Sequence, residues 1–196
     1  MSVKLLVFLV KGTFCLEIKL LKLKGSFEII LEKIGDSRGY FMETYRRELF
    51  TEHGIETDWV QENESLSTRR HTIRGLHFQI PPKSQAKLVR VVRGEILDVF
   101  VDLRKDSPSC GQWDSIVLSE ENCKAVFVPR GFAHGFCALS ENVVIQYKVD
   151  NPYAPECEKV IRWNDPVIGI DWNIVEPFLS HRDAEAPFYK DFLSPF

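Results

Sequence analysis

The most regular feature of the chain is an alternation near its middle. Across residues 96–103, Ile96, Asp98, Phe100 and Asp102 fall on one side of an extended backbone, and Leu97, Val99, Val101 and Leu103 on the other. A period of two marks a β-strand. The apolar run just before it reads as a partner strand, with Arg93-Gly94-Glu95 as the turn between them. Residues 27–33 alternate like a half-buried strand, and Gly35-Asp36-Ser37-Arg38-Gly39 follows as a turn. Trp59-Val60-Gln61 opens a further strand. Short strands are predicted over residues 114–118, 125–128, 135–139 and 143–148, each bounded by Gly, Pro, Asn or Ser. Only residues 40–50, where Phe41, Tyr45 and Phe50 lie near helical spacing, and the last thirty residues read as helical. So many short strands at regular spacing indicate an all-β antiparallel sandwich or barrel with a few short peripheral helices.

Composition narrows the class. With 196 residues, 44% hydrophobic and 27% charged, the chain suits one domain with one substantial core. Residues 27–196 are expected to form it, and residues 1–26 an N-terminal extension serving as an edge strand or tail. Twenty-five Lys+Arg against 28 Asp+Glu give a net charge of -3. That balance offers no basic field for nucleic acid, so an anionic ligand must be met by local arginines and lysines. Five cysteines without CxxC spacing imply reduced thiols and a cytoplasmic protein. The apolar run of residues 5–10 is short, is interrupted by Lys11 and lacks a small-x-small cleavage site, so neither secretion nor membrane association is expected.

Two motifs carry chemistry. Pro129-Arg130-Gly131-Phe132-Ala133-His134 matches the second signature of the cupin jelly roll, a double-stranded β-helix, in which the histidine points into the barrel mouth. The first signature should supply His-x-His and a glutamate as metal ligands. Here it reads His77-Phe78-Gln79. Two histidines are too few for a closed metal site, so the expectation is a cupin barrel with no metal and no cofactor, its histidine free to act on protons.

Further segments follow in fixed order: Asp36-x-Arg38-Gly39-Tyr40-Phe41-x-Glu43, Gln61-x-Asn63, Arg74-Gly75-Leu76-His77-Phe78-Gln79, Lys87-Leu88-Val89-Arg90, Gly94-Glu95-x-x-Asp98-Val99, Tyr147-Lys148, Arg162-Trp163-Asn164-Asp165-Pro166, Gly169-Ile170-Asp171-Trp172 and Leu179-Ser180-x-x-Asp183. By these the chain resembles the dTDP-4-dehydrorhamnose 3,5-epimerase family over residues 27–186. The resemblance implies inversion of C3 and C5 of a dTDP-linked 4-keto-6-deoxyhexose through enolates, giving dTDP-4-dehydro-L-rhamnose. It also implies His77 as base with Asp183 as its partner, Lys87 as stabiliser of the enolate oxygen and Tyr147 as general acid. By inspection alone Asp98 competes with Asp183 for His77; it is otherwise a pocket residue, as is His134. Tyr153, the family's second tyrosine, shapes the pocket. Arg38, Phe41 and Glu43 are implied to reach the nucleotide across a homodimer interface, with Gln61 and Asn63 contributing, while Arg74, three residues before the base, suits the pyrophosphate.

Blander assignments accompany these. Arg38 and Glu43 can form a surface ion pair, Asp171 a turn cap, and His53, His71 and His181 ordinary surface positions. The chain departs from the family pattern at Glu64, at an apparent extra residue within 68–72, and at Asn151-Pro152-Tyr153. Single inversion at C3 or C5, or ketoisomerisation, is therefore the runner-up. A metal-dependent cupin oxygenase or a non-catalytic sugar-binding cupin is the alternative from another class.

Overall fold

The computed structural model describes residues 16–55 and 57–196. The apolar run of residues 5–10 lies outside them, as does Cys15.

Thirteen strands are described: β1 (Glu17–Leu20), β2 (Phe27–Ile30), β3 (Ile34–Asp36), β4 (Gly39–Phe41), β5 (Gln61–Ser67), β6 (Ile73–Gln79), β7 (Lys87–Arg93), β8 (Glu95–Asp102), β9 (Trp113–Ser119), β10 (Lys124–Val128), β11 (Phe132–Ala138), β12 (Val143–Val149) and β13 (Glu158–Val160). The helices are short, α1 (Arg47–Glu52) and α2 (His181–Ala184). A six-stranded sheet runs β1-β2-β10-β7-β12-β5 and faces a five-stranded sheet ordered β13-β6-β11-β8-β9, all pairings within them antiparallel. The hairpin β3-β4 stands apart from both. This is the antiparallel architecture that the strand spacing implied and the jelly roll that the cupin signature implied.

Three apolar layers hold it together. Between the sheets lie Val89, Val91, Ile96, Phe100, Leu118, Val126, Phe132, Phe136 and Ile145. Outside the five-stranded sheet, Leu76, Val99, Val101, Leu103 and Cys137 pack under the C-terminal segment through Ile161, Ile168 and Trp172. Outside the six-stranded sheet, Ile29, Leu88, Ala125 and Phe127 meet Phe50 of α1 and Ile55. Central strands are therefore apolar on both faces, and β8 is buried almost throughout.

The predicted helix over residues 40–50 is corrected. Its start is the strand β4, and helix forms only from Arg47, running past residue 50 to Glu52. Of the apolar residues behind that prediction only Phe50 is buried, stacked edge-on against Tyr45, while Phe41 stays exposed. Three aromatics at helical spacing thus did not share one face. The strand predicted over residues 27–33 is also shorter, ending at Ile30. Residues 162–172 are structural as expected: Asp165 caps the turn through the Val167 and Ile168 amides, and Asp171 accepts from the Asn173 amide.

Candidate active site

β6 and β11 are antiparallel neighbours in the five-stranded sheet, and at one point their backbones touch. A Cβ on Gly75, whose φ is +126°, would lie 2.6 Å from the Gly135 Cα, and one on Gly135 would lie 2.7 Å from the Arg74 carbonyl oxygen. Only glycine fits both positions. The ladder shifts register beside them, which sets His134 directly opposite His77. Glycines in the two motifs therefore bring two histidines to one spot on the inner face.

From the facing sheet come the other groups. Lys87 begins β7, and Tyr147 on β12 pairs with Val89 on one side and Asn63 on the other. Gln61, Asn63 and Ser65 share the inward side of β5. The result is two adjoining cavities that share His77, Lys87 and Tyr147. The larger, about 260 Å³, is completed by Gln61, Asn63, Gln85, Tyr153 and Glu158. The smaller, about 160 Å³, is completed by Ser65, Arg74, His134 and Phe136.

His77 Nε2–H donates to Asp183 Oδ1 at 2.6 Å. Asp183 is buried, and its place is fixed by α2, where the Asp183 amide donates to the Ser180 hydroxyl at the helix N-cap. Burial pushes the Asp183 carboxyl upward, yet donors from His77, Ser180 and the Gly75 amide hold it below the usual carboxylate range. An ionised Asp183 keeps the His77 proton on Nε2 and leaves the Nδ1 lone pair available as a base. Of the two carboxylates weighed for His77, the contact is Asp183's. Asp98 instead accepts from His134 Nε2–H at 2.9 Å, one layer behind the cavity wall, so it supports a pocket residue rather than lining the pocket.

Lys87 is half-buried at the start of β7, its ammonium 3.4 Å from the His77 carbonyl, and desolvation pulls its pKa down to about 8, against the charges of Asp98 and Glu158. It remains about ten-to-one protonated at pH 7. Burial raises the Tyr147 phenol, which therefore stays protonated and able to donate. Arg74 is partly tied, donating to Ser67 Oγ at 3.1 Å and to the Leu66 carbonyl at 3.0 Å.

Gln79, standing where a metal-binding cupin has a ligand, spends its side chain on backbone. Its amide donates to the Lys83 and Pro152 carbonyls, and its oxygen accepts from the Ala154 amide. Gln61 accepts from the Tyr153 amide and donates to Asn63. Among the described residues no group of three or more His, Cys, Asp or Glu side chains is arranged to hold a metal ion.

Three predicted site residues lie off this cavity within the chain. Arg38 and Phe41 belong to the exposed β3-β4 hairpin, beside a separate concavity. Arg38 pairs with Asp36 and Glu43 with Arg46, not with each other. Glu64 points to the outer face, where it accepts from Gln146. Sequence reading missed Glu158, which accepts from Tyr153 Oη at 2.8 Å and from Arg182 Nη1 at 2.7 Å at the cavity rim. It also missed Gln85. Glu158 sits in a polar stretch with no motif, and only its pairing with Gln79 brings it inward.

Residues 20–191 match the family model described as dTDP-4-dehydrorhamnose 3,5-epimerase. A curated relative of that description from Methanothermobacter thermautotrophicus is 53% identical over 150 residues, 76% of this chain and 80% of the relative. One from Salmonella typhimurium is 47% identical over 163 residues, 81% of this chain and 88% of the relative. The crystal structure of the Bacillus anthracis enzyme with TDP and PPi bound superposes with a TM-score of 0.86 at 40% identity, covering 88% of this chain and 99% of that one. The Legionella pneumophila enzyme in complex with dTDP-4-keto-L-rhamnose gives 0.84 at 39% identity, covering 88% and 92%. By its glycine-crossed barrel, by the His77–Asp183 pair facing Lys87 and Tyr147, and by these matches, the chain belongs to the dTDP-4-dehydrorhamnose 3,5-epimerase family of isomerases.

Proposed function

We propose that this protein inverts C3 and C5 of dTDP-4-dehydro-6-deoxy-D-glucose to give dTDP-4-dehydro-L-rhamnose, by proton exchange through enolates. The observation that carries the reading is the division of labour between the sheets. His77, held by Asp183, comes from the five-stranded sheet, and Tyr147 from the six-stranded one, with one cavity between them.

A C4 ketone acidifies the hydrogens on C3 and C5. His77 Nδ1 takes the proton from carbon on one face of the ring, and the electron pair moves onto O4. The Lys87 ammonium meets that developing charge, an interaction stronger in the transition state than in the bound ketone. The Tyr147 phenol then protonates carbon from the other face, and configuration inverts. Exchange with solvent returns His77 to the neutral base and Tyr147 to the phenol, and repetition at the second carbon completes the reaction.

Arg74 suits the pyrophosphate, with Gln61 and Asn63 toward the nucleotide. The protein acts as a cytoplasmic homodimer in which the β3-β4 hairpin of one protomer brings Arg38, Phe41 and Glu43 to the other's site. Tyr40 and Phe41, 61% and 59% exposed on that hairpin, support this reading. The free thiols of Cys110, Cys123, Cys137 and Cys157 suit a reducing compartment.

The test is incubation with the 4-keto sugar nucleotide in deuterated water. Label is expected at both C3 and C5. Label at one carbon only establishes the single-inversion reading; none at either, from folded protein, refutes epimerisation.

A further inference from the structure

Asp98 has no part in the chemistry above, yet it is the least satisfied charge near the site. It is 0% exposed, and while Oδ2 accepts from His134, Oδ1 is buried without a hydrogen-bond partner. A carboxylate oxygen left so in a dry interior is strongly unfavourable unless a counter-charge stands close. Lys87 shares the smaller cavity with His134, and among the described residues its ammonium meets the His77 carbonyl at 3.4 Å as its hydrogen-bond partner.

The groups around Lys87 come from five strands: Asp98 from β8, His134 from β11, His77 and Arg74 from β6, Tyr147 from β12 and Glu158 from β13. Of the two carboxylates, Glu158 is already occupied by Arg182 and Tyr153. Asp98 alone retains an unspent oxygen.

We propose that Asp98 is a positioning residue for the oxyanion-stabilising charge: anchored through His134, its buried carboxylate keeps the Lys87 side chain an ammonium within the cavity. The catalytic meaning of this rests on the epimerase reading, but the electrostatic coupling stands apart from it. Burial lowers both Lys87 and His134, and Asp98 is the largest charge opposing that fall in each. His134 thus remains the neutral donor through Nε2, and the trio holds one positive and one negative charge.

The experiment reads Lys87 directly. Trace labelling with acetic anhydride across pH, quantified by mass spectrometry, gives the midpoint at which this amine becomes nucleophilic. Asp98→Asn, which keeps the shape and an acceptor oxygen, is expected to lower that midpoint by at least about one pH unit, a tenfold change in the ratio of ammonium to amine at fixed pH. The alkaline limb of the deuterium-exchange rate should move with it. His134→Gln, which keeps the carboxylate and an N–H able to donate to it, should leave the midpoint in place.

An unmoved midpoint in folded Asp98→Asn overturns the proposal, as does an equal fall in His134→Gln. Should Asp98→Asn not fold, carboxyl ¹³C resonances of the unaltered protein decide. The Asp98 signal must step at the Lys87 midpoint, and a flat trace overturns the coupling. Normal exchange with uncoupled Lys87 defeats only this inference, whereas coupled Lys87 without any exchange defeats only the epimerase reading.

Discussion

Asp98 and Asp102 lie four residues apart on the same side of β8, both 0% exposed, and they are held in opposite ways. Asp102 Oδ1 accepts from the Arg104 amide and Nε, and Oδ2 from Arg104 Nη2, Ser107 Oγ and Ser109 Oγ. Although burial pushes it up, those donors bring its pKa down to about 2. Asp98 has a single donor and an orphaned oxygen. A carboxylate whose lone pairs are all spent can only brace its loop, whereas one with an oxygen to spare can act on a neighbour's charge. Exposure and residue type are identical, so the distinction lies wholly in partners.

The comparison can be pressed hardest at the functional end. His77→Ala should cost about a thousandfold or more in exchange at both carbons while leaving thermal unfolding nearly unchanged, read by NMR of the labelled sugar and by calorimetry. Tyr147→Phe should fail differently, still washing label into C5 while yield of inverted product falls about a hundredfold. Equal, mild losses from both would break the assignment of base and acid to opposite sheets.

Asp102→Ala should show the reverse profile. Removing one partner of a buried, fully bonded ion pair costs about 3 kcal/mol, so the melting temperature should drop by about 10 °C while exchange per folded molecule is retained. Loss of exchange without loss of stability would erase the contrast.

The acid limb sharpens it further. Because the folded pKa of Asp102 is below its ordinary 3.8, its contribution is present above pH about 4 and disappears as pH falls toward 2. That amounts to about 2 kcal/mol, visible as a shallower acid dependence of urea unfolding in Asp102→Asn. The smallest effect is expected from Tyr153→Phe. Its phenol donates to Glu158 beside Arg182 at a rim position 52% exposed, so a few-fold rise in KM with kcat little changed should follow.

Much of the barrel was readable before folding was considered. The alternation at residues 96–103 located β8, and turn residues bounded β9 to β12, because strand period and turn chemistry are local. Helix α1 was misplaced since spacing cannot say which aromatics meet a core. At the site, motif glycines and the Leu-Ser-x-x-Asp segment named His77 and Asp183. Glu158 and the Asp98–His134 contact have no such marker: Glu158 is brought inward by its strand pairing with Gln79, and Asp98 meets His134 through the pairing of β8 with β11.

The order of residues by itself settled the strand periodicity, the turn residues that bound the strands, and the kinds of group available for proton transfer. Tertiary structure decided which carboxylate serves which histidine, that Lys87 is desolvated, and that Asp98 is left an oxygen short. Those outcomes depend on distances across two sheets and on exclusion of water. Neither exists until the chain has closed on itself.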